Sequence, residues 1–189
     1  QKASREFAKA GDEVRAALMR ANSFWIQLLQ HGPGVEFGID EIRVAKFALS
    51  FSNVDQHRIT IALTEALWFV MKGHRAEAMA ALEELSGLRE SQQLLVTAEV
   101  AVEIAAIYLT INANEQAEVW FSIFQSIESD SDSVSAGVAT LRLAAEVSEK
   151  LGKTDEALRY WRQMAIASSL VGHGIFESTG KFAAAIARP

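Results

Sequence analysis

The sequence predicts an all-α chain, and three observations lead there. The segments between turn signals have helical length and place apolar residues at intervals of three and four. Proline and glycine number only 2 and 11, so the frequent punctuation of a β-sandwich or barrel is missing. Alanine is abundant, which favours both helix formation and close helix–helix approach.

The turn signals cut the chain into its elements. Gly32-Pro33-Gly34 is the strongest, since it joins two permissive residues to a helix breaker. Ser52-Asn53 with Asp55, Gly73-His74, Gly87 with Ser91, Asn112 to Asn114, Ser129 to Ser133, Gly152-Lys153 and Gly172 with Gly174 follow. Between them the spacing predicts helices over 2–10, 12–30, 39–51, 55–71, 75–86, 91–110, 114–128, 134–150 and 154–170, with a tenth at 174–187. Asp12, Asp40, Asp55, Ser91 and Thr154 are the expected N-caps, because a short side-chain oxygen can accept from the first free amides of a helix. All 189 residues are read as a single helical domain, in which 1–51 forms N-terminal helices.

Composition excludes several function classes. The formal net charge is -6, and Lys and Arg are scattered singly, so the basic stripe of a nucleic-acid binder is missing. With no cysteine, disulfides, thiolate zinc sites and cysteine nucleophiles are excluded, while the compartment stays open. The most apolar run, Ile59 to Met71, is broken by Thr60, Thr64 and Glu65, so membrane insertion is not expected. The sequence starts at Gln1, as expected of a fragment or a processed product.

A period runs through the central part. A helix, a Gly or Asn turn and an Ala in the next helix recur at Ile59–Leu85, Ala98–Phe124 and Val138–Met164. The alanines Ala78, Ala117 and Ala157 lie 39 and 40 residues apart. Each opens an i, i+4, i+7 stripe: Ala78, Leu82 and Leu85; Ala117, Phe121 and Phe124; Ala157, Trp161 and Met164. A small residue in each preceding helix, Ala66, Ala105 or Ala145, is expected to face it. Trp68 and Trp120 are also expected to bury, although Trp120 should point off the main stripe of its helix.

These residues resemble the tetratricopeptide repeat pattern, in which a small residue of the first helix faces an Ala of the second and an aromatic follows one turn later. Phe69 and Tyr108 also match its aromatic late in the first helix; Ser148 departs from it. The pattern's early Trp is replaced by Ala62, Ala101 and Leu141, its closing Pro is missing, and the spacing is longer than usual. The resemblance covers 59–170, with hairpins about 55–87, 91–128 and 134–170, and implies a right-handed α-solenoid. A non-repeating helical bundle is the competing architecture.

Chemistry-bearing motifs are sparse. The 4 histidines (His31, His57, His74 and His173) have no metal-ligand spacing, and three of them adjoin turn glycines. The acidic run Glu128 to Ser133 lacks the Gly and distal Glu of a calcium loop. Carboxylates pair at Glu83/Glu84, Glu99/Glu103 and Glu146/Glu149 without the Glu-x-x-His of a diiron bundle, and read as solvated faces. Neither Gly32-x-Gly34 nor Gly172-x-Gly174 makes a phosphate loop. No cofactor, metal or catalytic residue is assigned, and an enzyme is not expected.

The resemblance implies a groove lined by the first helices. It falls on Thr60, Leu63, Leu67 and Val70, then Glu99, Val102, Ala106 and Leu109, then Ala139, Arg142, Glu146 and Glu149. Leu63, Leu67, Glu99, Val102 and Arg142 are the expected contacts to a partner protein or peptide. The expected function is a protein-interaction scaffold, or alternatively a sensory or regulatory domain of a larger signalling or transcription protein; homo-oligomerisation stays open.

Overall fold

The computed structural model describes residues 12–50, 55–90, 96–130 and 137–171. The expected helices at 2–10 and 174–187 and the expected cap Ser91 lie outside these residues. Among the described residues there are helices and no strand. They are α1 (Glu13–His31), a 3-10 turn (Gly32–Gly34), α2 (Ile39–Leu49), α3 (Asp55–Met71), α4 (Arg75–Glu90), α5 (Ala98–Thr110), α6 (Asn114–Asp130), α7 (Val138–Lys150) and α8 (Thr154–Val171). The all-α expectation holds, and most helix ends fall within two residues of the sequence reading. The chain divides into two units, Gln1–Leu95 and Val96–Pro189.

In the first unit, Asp12 caps α1, its carboxylate accepting from the Arg15 amide at 3.0 Å. Ala16, Ala17, Ala21, Phe24 and Leu28 then form the buried side of that helix. Gly32, at φ 56, and Pro33 end it. α2 begins at Ile39 as expected, but Gly38 and not Asp40 is its cap residue. The Glu41 carboxylate reaches back to accept from the Gly38 amide at 2.9 Å, leaving Asp40 as a first-turn acid near the positive helix end. Around the core helix, α1 and α2 pack on each other and on α3, which also packs on α4. The link before α2 is tied down as well: Phe37 lies against Phe24 at 4.5 Å between ring centroids, and its carbonyl accepts from the Trp68 indole at 3.4 Å.

In the second unit, α5 packs on α6 and α7, and α7 on α8. Thr97 caps α5, accepting from the Val100 amide at 3.4 Å. The helix therefore begins at Ala98, seven residues later than the turn signals suggest.

The pairs α3–α4, α5–α6 and α7–α8 are joined by links of the same length and hydrogen-bond pattern. Gly73, Asn112 and Gly152 occupy the left-handed region at φ 76, 55 and 74. The following amide turns back to a carbonyl five residues earlier: His74 to Phe69, Ala113 to Tyr108 and Lys153 to Ser148, each at 2.9 Å. The amides of Ala78, Ala117 and Ala157 then bond the carbonyls of His74, Ala113 and Lys153, each at 3.0 Å. Those three alanines are buried, as are Ala66, Ala105 and Ala145 on the preceding helices. Small side chains at these depths allow close backbone approach within each pair.

The aromatic positions differ in part from expectation. Trp120 is buried as expected, and with Phe121 and Phe124 it gives α6 a wider buried stripe than one residue per turn. In α8 the buried aromatic is Tyr160, not Trp161. Tyr160 meets Phe124 at 5.5 Å and Phe121 at 6.1 Å between ring centroids. Its hydroxyl donates to Glu128 at 2.9 Å and accepts from Arg159 at 2.6 Å. Burial and the Glu128 hydrogen bond raise its pKa above the usual tyrosine value. Trp161 sits half-buried, its indole donating to Glu149 at 2.8 Å.

Crowding and backbone strain are separable by mutation. Ala117→Trp should destabilise the chain by about 3 kcal/mol or more, because a buried methyl position cannot take an indole. Gly152→Ala, whose added Cβ meets nothing within 4 Å, should cost only the left-handed backbone, on the order of 1 kcal/mol. Urea denaturation midpoints of the two variants check both values.

Candidate functional site

The structure separates the expected contact residues. Leu63, Leu67 and Val102 are 3%, 0% and 1% exposed, so they belong to the interior and do not stand on an open face. The groove expectation assumed that each first helix keeps one side free. α3 is instead buried at every position from Ile61 to Leu67, and α5 at every position from Val100 to Leu109 except Glu103. A helix apolar on all sides is a core helix. Glu99 is exposed and Arg142 partly so, with the Arg142 guanidinium donating to Glu146 at 2.8 Å.

The acidic edge of α5 draws attention for this reason. Its residues reaching solvent are Ala98, Glu99, Glu103 and Thr110. The Thr110 hydroxyl is committed to the Ala106 carbonyl at 2.9 Å. Glu103 is half-buried and crowded by protein, and burial, with the like charge of Glu99 one turn back, raises its pKa to about 7. The sequence pairs Glu99 with Glu103, but the partial burial of Glu103 depends on how the helices pack.

A second feature lies in the first unit. Glu65 projects from the core helix α3 and is only 6% exposed. The Lys46 ammonium of α2 donates to Glu65 at 2.6 Å and also to Glu84 of α4, and Arg43 stands 3.9 Å from Glu65. Burial works against the Lys46 charge, but the bonds and charges of Glu65 and Glu84 outweigh it and hold its pKa above the ordinary lysine value. These side chains line an open cleft of about 230 Å³, completed by Phe69, Glu77, Ala80 and Ala81. Glu77, at the rim, is held below the usual carboxylate pKa by its own backbone amide and by His74. The cleft thus combines an apolar floor with charges of both signs, an arrangement able to orient a small polar molecule. Nothing in the sequence marks Glu65 except its position in an otherwise apolar run.

Among the described residues, no group of three His, Asp or Glu side chains is arranged to hold a metal ion, and no helix is long and apolar enough to cross a membrane. No family model, curated protein or solved structure matches the chain.

Removing one partner of the Lys46–Glu65 pair leaves a buried charge behind. Lys46→Met should therefore lower stability by about 3 kcal/mol, while the double change with Glu65→Met should recover most of that loss. A denaturation double-mutant cycle measures the difference. Glu103 couples stability to pH. Its folded pKa lies above the ordinary 4.5, so the folded state holds its proton longer, and stability falls as pH rises from about 4.5 to 7. Glu103→Gln should be more stable than the parent above about pH 7, by on the order of 2 kcal/mol, and no more stable below about pH 4.5. Melting temperatures across that range test the sign.

Proposed function

We propose that the three hairpins are divergent tetratricopeptide-like units of a short right-handed solenoid, and that the chain is a protein–protein interaction scaffold. The observation carrying this reading is the recurrence of one turn geometry, with a left-handed Gly or Asn, a backward amide bond across five residues and a buried Ala. Recurrence at 39 and 40 residues is the mark of stacked helical hairpins, which present extended faces to partners. Within the second unit, the first helices α5 and α7 of two successive hairpins pack side by side, as such stacking requires. The surface residues assigned to the interface are Glu99 and Arg142, while Leu63, Leu67 and Val102 serve to hold the helices together.

A regulatory domain that responds to a small molecule is the second reading. The cleft around Glu65, Lys46 and Phe69 favours it, because a charged pair over an apolar floor suits a polar effector.

Cross-linking followed by co-purification from the cells that make the protein tests the scaffold reading. Glu99→Lys and Arg142→Glu should keep the helical circular dichroism of the parent, and each should lose a partner that the parent retains. Retention of the same partner by both variants would place the interface elsewhere. Failure of the parent to retain any partner, together with saturable binding of a small molecule abolished by Phe69→Ala, would favour the regulatory reading.

A further inference from the structure

We propose that the cleft of the first unit binds an α-amino acid with an apolar side chain, its carboxylate on the Arg43 guanidinium, its ammonium on Glu84 and its side chain over Phe69. This names the chemistry of the effector and rests on the regulatory reading above; it does not depend on the scaffold reading.

Three helices build the cleft. Both α2 and α4 pack on α3. Arg43 and Lys46 come from α2, Phe69 and Glu65 from α3, and Glu77, Ala80, Ala81 and Glu84 from α4. Within each helix the spacings of three, four or seven residues put these side chains on one side. The two walls therefore differ in sign, with cations on α2 and acids on α4. Lys46 is committed, because its ammonium joins Glu65 of α3 to Glu84 of α4. Arg43 is not. Its guanidinium stands 3.9 Å from Glu65, beyond hydrogen-bond distance, and its side chain is 60% exposed. Glu65 is already answered by Lys46 at 2.6 Å, so Arg43 keeps its fork of donors for a carboxylate from outside.

The opposite wall can take a cation. Glu84 is 49% exposed and gives Oε2 to Lys46, which leaves Oε1 to accept, and Glu77 adds a second acid at the rim. A ligand that meets both walls carries one negative and one positive group. Between the walls the floor is carbon: Phe69 and Ala81 are buried and offer no side-chain donor or acceptor. The remainder of the ligand is therefore hydrocarbon. At about 230 Å³ the cleft is smaller than the roughly 300–1,000 Å³ of sites for drug-sized molecules, which excludes a nucleotide and suits an amino acid. The site is also held in place before any ligand arrives. Glu65 is only 6% exposed, and its bond to Lys46 fixes the α2 wall against the core helix.

Isothermal titration calorimetry of the full chain with L-leucine, at low ionic strength, tests the proposal. Leucine should bind saturably. Arg43→Gln should weaken binding about tenfold. Ala80→Phe fills the cleft from an exposed position, leaves every charge in place and should abolish binding. Arg162→Gln removes the same charge as Arg43→Gln from an exposed position on α8 and should change binding less than about twofold. Isocaproate lacks the ammonium of leucine and isoamylamine lacks its carboxylate, so each should bind at least about tenfold more weakly. Circular dichroism of each variant confirms that it is folded. Absence of leucine binding would overturn the proposal, as would binding that survives both Arg43→Gln and Ala80→Phe. Equal weakening by Arg43→Gln and Arg162→Gln would overturn it too, as would either analogue binding as tightly as leucine. If leucine fails while isocaproate or isoamylamine binds and Ala80→Phe abolishes that binding, the regulatory reading stands and only the amino acid falls.

Discussion

The short left-handed link is the constraint on which the rest of the molecule depends. Gly73, Asn112 or Gly152 turns the chain within three residues, and the amide after it closes onto the end of the finished helix. Two helices so joined must run close together from their first turn. That closeness leaves room for methyl groups at the buried positions Ala66, Ala105, Ala145, Ala78, Ala117 and Ala157. Bulk is then displaced further along the second helix, to Leu82 and Leu85, to Trp120, Phe121 and Phe124, and to Tyr160. The link thus governs which positions must be small and which can be large.

Much of the fold was legible in the sequence because these constraints are local. Turn residues, helix lengths and the recurring Ala are properties of short windows, and α3, α4, α6 and α8 begin at the residues expected from them. Errors arose where a choice between neighbouring residues is settled by distant contacts. Asp40 is a good cap by type, yet the cap of α2 is Gly38, whose amide Glu41 satisfies. Trp161 lies one turn after Ala157, but the ring that fits against Phe121 and Phe124 is Tyr160. Both residues lie on the same broad side of α8, and periodicity cannot choose between them.

The candidate site was less legible, for a related reason. Turn arithmetic divides a helix into a core side and a free side, whereas α3 and α5 have little free side. Leu63, Leu67 and Val102 look available only while their neighbours are unknown. Conversely, Glu65 and Glu103 look like ordinary surface acids until the surrounding helices enclose them. Glu65 is answered by Lys46, nineteen residues away on α2, and Glu103, among the described residues, by no such group. Whether an acid on an apolar helix is a bridge or an open valence is decided by tertiary structure alone.

The closeness in sequence of the packed pairs has a consequence for how the chain is made. α3 meets α4 within Asp55–Glu90, α5 meets α6 within Ala98–Asp130, and α7 meets α8 within Val138–Val171. None of these pairings has to wait for a distant strand or for the far terminus. Low contact order of this kind gives fast closure. During synthesis, each pair can fold as soon as its second helix has left the ribosome. The strongly apolar α5 is at risk in this interval, since it emerges before anything that follows it can cover it. Its companion α6 comes only three residues behind, so the three-residue link also shortens the time for which that helix is left bare.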